Sequence, residues 1–141
     1  MKSLDTNALL WLLLADNPQQ TTTVEALLSD KSQKFAVADM VFAEVVWVLQ
    51  GGVYKYNRQR VAANLQAVIA IQQINCNKVM LENAIPLYVR LPKISFIDAC
   101  LTIYAELDGA LPLLTFNKKL AAAPPKSVKV LWTTLNKDKV H

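Results

Sequence analysis

Apolar and polar positions alternate on two length scales along this chain, and together they outline its elements. A short strand is expected around Lys2–Leu4, running into Asp5. Helices follow over Ala8–Leu14 and Thr22–Ser29, the second closed by the polar turn Asp30–Gln33. Lys34–Ala38 reads as a second strand. Asp39 is placed to N-cap a helix over Met40–Gln50, which Gly51-Gly52 ends. Asn57 to Gln73 is helical, with Val61, Leu65, Val68, Ile69 and Ile71 in a rough 3.6-residue pattern. Asn77 to Arg90 is a further helix, kinked or divided by Pro86. Ser95 opens a helix that runs to Asp108 and stops at Gly109. The pattern then predicts a strand over Leu111–Thr115, a short helix over Lys118–Ala122, and a last strand over Val128–Trp132 after Pro124-Pro125.

Strands alternating with helices indicate an α/β fold with a parallel sheet flanked by helices. With no repeat, no low-complexity tract and no Gly- or Ser-rich linker, residues 1–141 read as one domain, a length that encloses a sizeable core. In such folds, functional groups gather at the carboxyl ends of strands. Asp5 follows the first expected strand, and Asn117 follows the strand expected over Leu111–Thr115.

Three acids stand nearly alone in apolar surroundings: Asp5, Glu44 in Met40–Leu49, and Asp98 in Ser95–Ala105. Glu44 lies in a helix that is apolar on every side, so its face is expected to be at least half buried. A buried unpaired carboxylate costs several kcal/mol or neutralises. None of the three has a Lys or Arg three or four residues away along its helix. A shared divalent cation would compensate all three. Each also has a simpler local reading: Asp5 as a helix cap, Glu44 as a side chain reaching solvent, and Asp98 as the partner of Ser95 in a capping box. Asn117 has one too, as an N-cap or turn residue.

Composition narrows the chemistry. The only histidine is His141, which disfavours zinc and any nucleophile driven by an imidazole base. An all-oxygen acidic set suits Mg²⁺ or Mn²⁺ and phosphodiester hydrolysis. The formal charge of +4 is mildly basic and admits a polyanionic partner or a plain solubility charge. Cys76 and Cys100 have neither metal-ligand nor disulfide-framework spacing and read as reduced core residues of a cytoplasmic protein. The apolar run Ala8–Ala15 is short for a signal peptide and follows Asp5. No charge-free run approaches the ~18 residues of a membrane span.

Four segments in order resemble the PIN-domain ribonucleases, and most of all the VapC-type toxins of toxin–antitoxin pairs. They are Leu4-Asp5-Thr6-Asn7, Ala43-Glu44-Val-Val-Trp-Val-Leu49, Ser95-Phe-Ile-Asp98-Ala99, and Leu113-Leu-Thr-Phe-Asn-Lys-Lys-Leu120. The resemblance implies an α/β/α sandwich with a central parallel sheet, an acidic pocket holding Mg²⁺ or Mn²⁺, endonucleolytic RNA cleavage, a homodimer, and a small VapB-type antitoxin that blocks the site. Carried over by position, it implies that Asp5, Glu44 and Asp98 bind metal and that Thr6, Asn7 and Thr115 orient them. The fourth acidic position of the family is Asn117 here, which removes one negative charge. Arg90, Lys93, Lys118 and Lys119 flank the acidic motifs and are candidates to hold RNA phosphates. Tyr54, Tyr56 and Arg58 are candidates to stack bases, or simply to pack in a loop. Two competing functions stay open. One is a PIN module that binds RNA or a protein without cleaving, because Asn117 weakens the site. The other is a metal-dependent phosphatase of small phosphomonoesters, against which the flanking bases and the lack of a Gly-rich phosphate loop both speak.

Overall fold

Three two-residue strands, β1 (Lys2–Ser3), β2 (Phe35–Ala36) and β3 (Ile74–Asn75), pair in parallel in that order. Lys2 lies opposite Phe35 and Phe35 opposite Ile74. In the computed structural model, residues 1–122 are described. The strand expected over Val128–Trp132 lies outside them. The chain divides into two units, Met1–Lys78 and Val79–His141.

The first unit holds the sheet and four helices: α1 (Thr6–Leu14), α2 (Pro18–Ser29), α3 (Asp39–Gln50) and α4 (Arg58–Ile69). Their starts are chemically marked. Asn17 accepts the Gln20 N–H at 3.2 Å, with Pro18 at the first helical position of α2. Asn57 accepts the Arg60 N–H at 2.8 Å and starts α4. α3 ends at Gly51, where a Cβ would stand 3.2 Å from both the Trp47 and Val48 carbonyl oxygens. α1 packs against α2 and α3, α3 against α4, and α4 against β3. Leu9, Phe35, Phe42, Val45, Leu49, Val61, Leu65 and Ile74 are buried there. Each such side chain contributes roughly 1.5–3 kcal/mol when fully removed from water.

The second unit begins as α5 (Lys78–Arg90) leaves β3 and adds α6 (Phe96–Leu107) and α7 (Lys118–Ala122). Pro86 lies inside α5 without dividing it. Tyr88 of α5 meets Phe96 of α6 edge-on at 5.5 Å. α6 closes on Gly109, whose φ of 64° lies in the left-handed region. The Gly109 N–H reaches the Glu106 carbonyl and the Ala110 N–H the Ala105 carbonyl, a Schellman ending.

The α/β class and the parallel sheet agree with the sequence reading, and several details differ. Asp39 is not the cap of α3: Ala38 holds that position, and Asp39 stands in the first turn. The helix expected to Gln73 ends at Ile69, and the chain turns into β3, a strand the pattern did not show. Leu111–Thr115 is not a strand, and only Leu113 makes a β-bridge. Pro112 explains this, since it lacks an N–H for a ladder. Along α3, α4 and β3, Val45, Val46, Leu49, Val61, Leu65, Val68, Ile69 and Ile74 are buried, with Trp47 the large exception at 80% exposed.

Candidate active site

Asp5 stands two residues past the end of β1 and caps α1. Its Oδ1 accepts the Ala8 N–H at 3.0 Å, while its other oxygen carries no hydrogen bond among the described residues. Backbone pairing fixes this placement, because the Leu4 N–H donates to the Ala36 carbonyl at 2.9 Å just before the chain turns into the helix. Glu44 lies mid-way along α3 and is exposed. This corrects the expectation of a half-buried face. The helix buries Phe42, Val45, Val46 and Leu49, while Met40, Glu44 and Trp47, spaced by four and three residues, share the side that meets solvent. Apolar residues all around a helix do not guarantee burial all around it.

In the second unit, Asp98 is half-buried and forms the capping box anticipated from Ser95-x-x-Asp98. The Asp98 N–H donates to Ser95 Oγ at 3.0 Å, and the Ser95 N–H donates to Asp98 Oδ2 at 3.3 Å. The Thr102 hydroxyl donates to the Asp98 carbonyl one turn on, at 2.9 Å. Asn117 caps α7, with its Oδ1 accepting the N–H groups of Lys119 at 3.0 Å and Leu120 at 3.4 Å. Its own backbone N–H donates to Thr115 Oγ1 at 3.0 Å.

The simpler local role is thus present at all four positions: cap, solvent-exposed side chain, capping box, cap. Asp5 and Glu44 belong to the first unit, Asp98 and Asn117 to the second. Neither unit by itself brings together three His, Cys, Asp or Glu side chains as a ready metal cage among the described residues. Thr6 is half-buried and Asn7 exposed beside Asp5; Arg90, Lys93, Lys118 and Lys119 are exposed.

Sequence reasoning treated Asp39 only as a cap. Asp39 follows β2 and Asn77 follows β3, so with Asp5 they mark the carboxyl ends of all three strands. The Asp39 carboxylate bonds the Asn77 side chain, and burial raises its pKa above the usual carboxylate value, partly offset by that bond. Strand-end position was the signal that could have drawn attention to Asp39. It was used only for Asp5 and Asn117.

Exposure of Asp5 and Glu44 means that burial alone demands no counter-ion there. What fits a hard cation is the donor chemistry. Asp5 and Asp98 are each oriented by a bond to one oxygen and keep a second oxygen without a hydrogen bond among the described residues. Asn117 does not share this property. Both lone pairs of its only side-chain oxygen face α7 amides, which leaves the NH₂ group, a donor that cannot bind a cation.

A family model described as PIN domain matches residues 3–125. That span includes Asp5, Glu44, Asp98 and Asn117 and crosses both units. A search of curated proteins finds no match.

Proposed function

The chain belongs to the PIN-domain family, whose members are generally metal-dependent nucleases with an α/β/α fold, and from that premise we propose that it is an endoribonuclease that uses Mg²⁺ or Mn²⁺. The observation that carries this reading is the family match across Asp5, Glu44 and Asp98, all three of them present as acids. In this reading these side chains supply the metal-binding carboxylates. The cation, when bound, would lower the pKa of a water molecule and offset charge developing on phosphorus. The protein's own part is to orient the carboxylates. The Ala8 amide does this at Asp5 and the Ser95 amide at Asp98, while the Ser95 hydroxyl accepts the Asp98 backbone N–H and fixes the start of the helix. Arg90, Lys93, Lys118 and Lys119, exposed in the same unit as Asp98, would hold flanking phosphates.

The toxin reading extends this. A VapC-type toxin would pair with an antitoxin that blocks the site, and would form a homodimer. Exposed apolar side chains, Met40 and Trp47 on α3 and Ile97 and Leu101 on α6, support a protein partner. In this reading the protein acts in the cytoplasm, where Cys76 and Cys100, which are in no disulfide, would stay reduced.

One observation favours a second reading, a PIN module that binds without cleaving. It is the engagement of the Asn117 oxygen by α7, which withholds a fourth ligand. The test is incubation of the purified protein with mixed single-stranded RNA in Mg²⁺ or Mn²⁺, with EDTA as control. Internal cleavage that EDTA abolishes supports the nuclease. No cleavage in either metal, with RNA still bound, establishes the binding module.

A further inference from the structure

The turn between α3 and α4 carries a stacked cation–aromatic arrangement that the metal chemistry does not use. The Arg60 guanidinium lies over the Tyr56 ring, 3.7 Å from its centroid. Tyr54 meets Tyr56 edge-on at 6.3 Å. The arrangement is held from several sides. The Tyr54 hydroxyl donates to Asp16 Oδ2 at 2.9 Å, the Tyr56 N–H to the Leu49 carbonyl at 2.8 Å, and the Lys55 N–H to the Gly51 carbonyl at 2.9 Å. The cap bond from Asn57 fixes the backbone at Arg60.

The turn holds three basic residues, Lys55, Arg58 and Arg60, within six positions and no acid of its own, and the carboxylate bonded to it is Asp16, at Tyr54. Arg60 falls in the first turn of α4, where the helix dipole disfavours a cation. The helix's own stability therefore does not explain it. A planar guanidinium laid on an aromatic ring offers a second, outward face, and Arg60 and Lys55 are exposed. Such a surface accepts an unpaired base by stacking and the adjoining phosphate by charge.

We propose that the Lys55–Tyr56–Arg58–Arg60 turn is a docking platform for single-stranded RNA, in which a base stacks on the Arg60–Tyr56 pair. This deepens the RNA reading above but does not depend on metal or cleavage. Binding of a fluorescein-labelled single-stranded 12-mer RNA, followed by anisotropy in EDTA, tests it. Arg60→Ala should weaken binding about tenfold, consistent with stacking worth ~1–3 kcal/mol per base. Arg60→Lys, which keeps the charge and loses the plane, should recover only part of it. Tyr56→Ala should behave like Arg60→Ala, with far-UV circular dichroism confirming that both fold. A blunt RNA duplex should bind more weakly than the single strand. Unchanged binding by Arg60→Ala, or equal binding of duplex and single strand, would overturn the platform. So would a wild type that binds no RNA. Unchanged RNA binding with lost self-association in Arg60→Ala would assign the turn to contact between copies instead. A wild type that binds through Arg60 but never cleaves would defeat the nuclease reading and leave the platform standing.

Discussion

Asn117 Oδ1 accepts the backbone N–H of Lys119 at 3.0 Å, and this bond decides which end of the side-chain amide faces away from α7. The free end is the NH₂ group. An Asp in the same rotamer would keep the cap with one oxygen and offer the other to a cation. Asn117→Asp is therefore expected to raise RNA cleavage at low Mg²⁺ by ~10-fold, the scale on which groups around a metal tune activity. The wild type should favour Mn²⁺ over the more strongly hydrated Mg²⁺. Cleavage rates across a titration of each metal check this. No gain in the variant, with a wild type already saturated in Mg²⁺, would place Asn117 outside the metal site.

Ser95 holds Asp98 through both bonds of its capping box. Ser95→Ala removes the hydroxyl acceptor and leaves the N–H donor. It is expected to destabilise the protein by ~0.5–2 kcal/mol, the usual cost of a lost N-cap. Ser95→Thr should restore most of this. Urea denaturation of the three proteins measures it, and equal midpoints for Ser95→Ala and wild type would show that the box does not hold α6.

Asp39 has a pKa raised chiefly by burial. The folded protein therefore binds the Asp39 proton more tightly than the unfolded chain, so this group makes stability fall as pH rises from the ordinary carboxylate range through the folded pKa. Below the unfolded value the protonated side chain carries no such penalty. Asp39→Asn should flatten that part of the stability–pH curve. Chemical denaturation from acidic to neutral pH checks it, and a wild-type curve that rises across the same window with no change in Asp39→Asn would contradict the assignment.

Phe42 and Leu49 are fully buried on the inner side of α3, opposite Met40, Glu44 and Trp47. Phe42→Ala should cost ~3–5 kcal/mol through lost transfer energy and a residual cavity. Trp47→Ala, 80% exposed in wild type, should change the stability of the isolated protein by no more than ~0.5 kcal/mol. Thermal or urea unfolding separates the two, and similar losses would show that Trp47 contributes to the core as much as Phe42 does.

Caps and breakers carried most of the legible information. Asn57, Ser95, Gly51 and Gly109 mark helix ends with chemistry that acts within a few residues, so the elements they bound appear at or near the expected places. α7 spans Lys118–Ala122 as expected, started by Asn117. β3 was not legible, because two residues, Ile74 and Asn75, show no periodicity and owe their strand state to pairing with Phe35 and Ala36. Local placement of the candidate residues was legible: Asp5 at a strand end, and the Ser95–Asp98 box. Burial was not. Which side of α3 faces inward depends on contacts with α1 and α4, and those left Glu44 on the solvent side. The Asp39–Asn77 bond was beyond reach for the same reason, since it joins residues 38 positions apart through the sheet register.

The central claim is that Asp5 and Asp98 bind the metal on which RNA cleavage depends, beyond the capping bonds they make. Asp5→Asn and Asp98→Asn keep an oxygen for the cap and remove the charge a cation needs, so they separate the two roles. The decisive measurement is the cleavage rate of single-stranded RNA in saturating Mn²⁺ by wild type and both variants, with matched far-UV circular dichroism and urea midpoints. The expected result is a folded Asp5→Asn and a folded Asp98→Asn, each with cleavage reduced by ~100-fold or more. Folded variants that cleave RNA at the wild-type rate would contradict the account and leave both aspartates as helix caps.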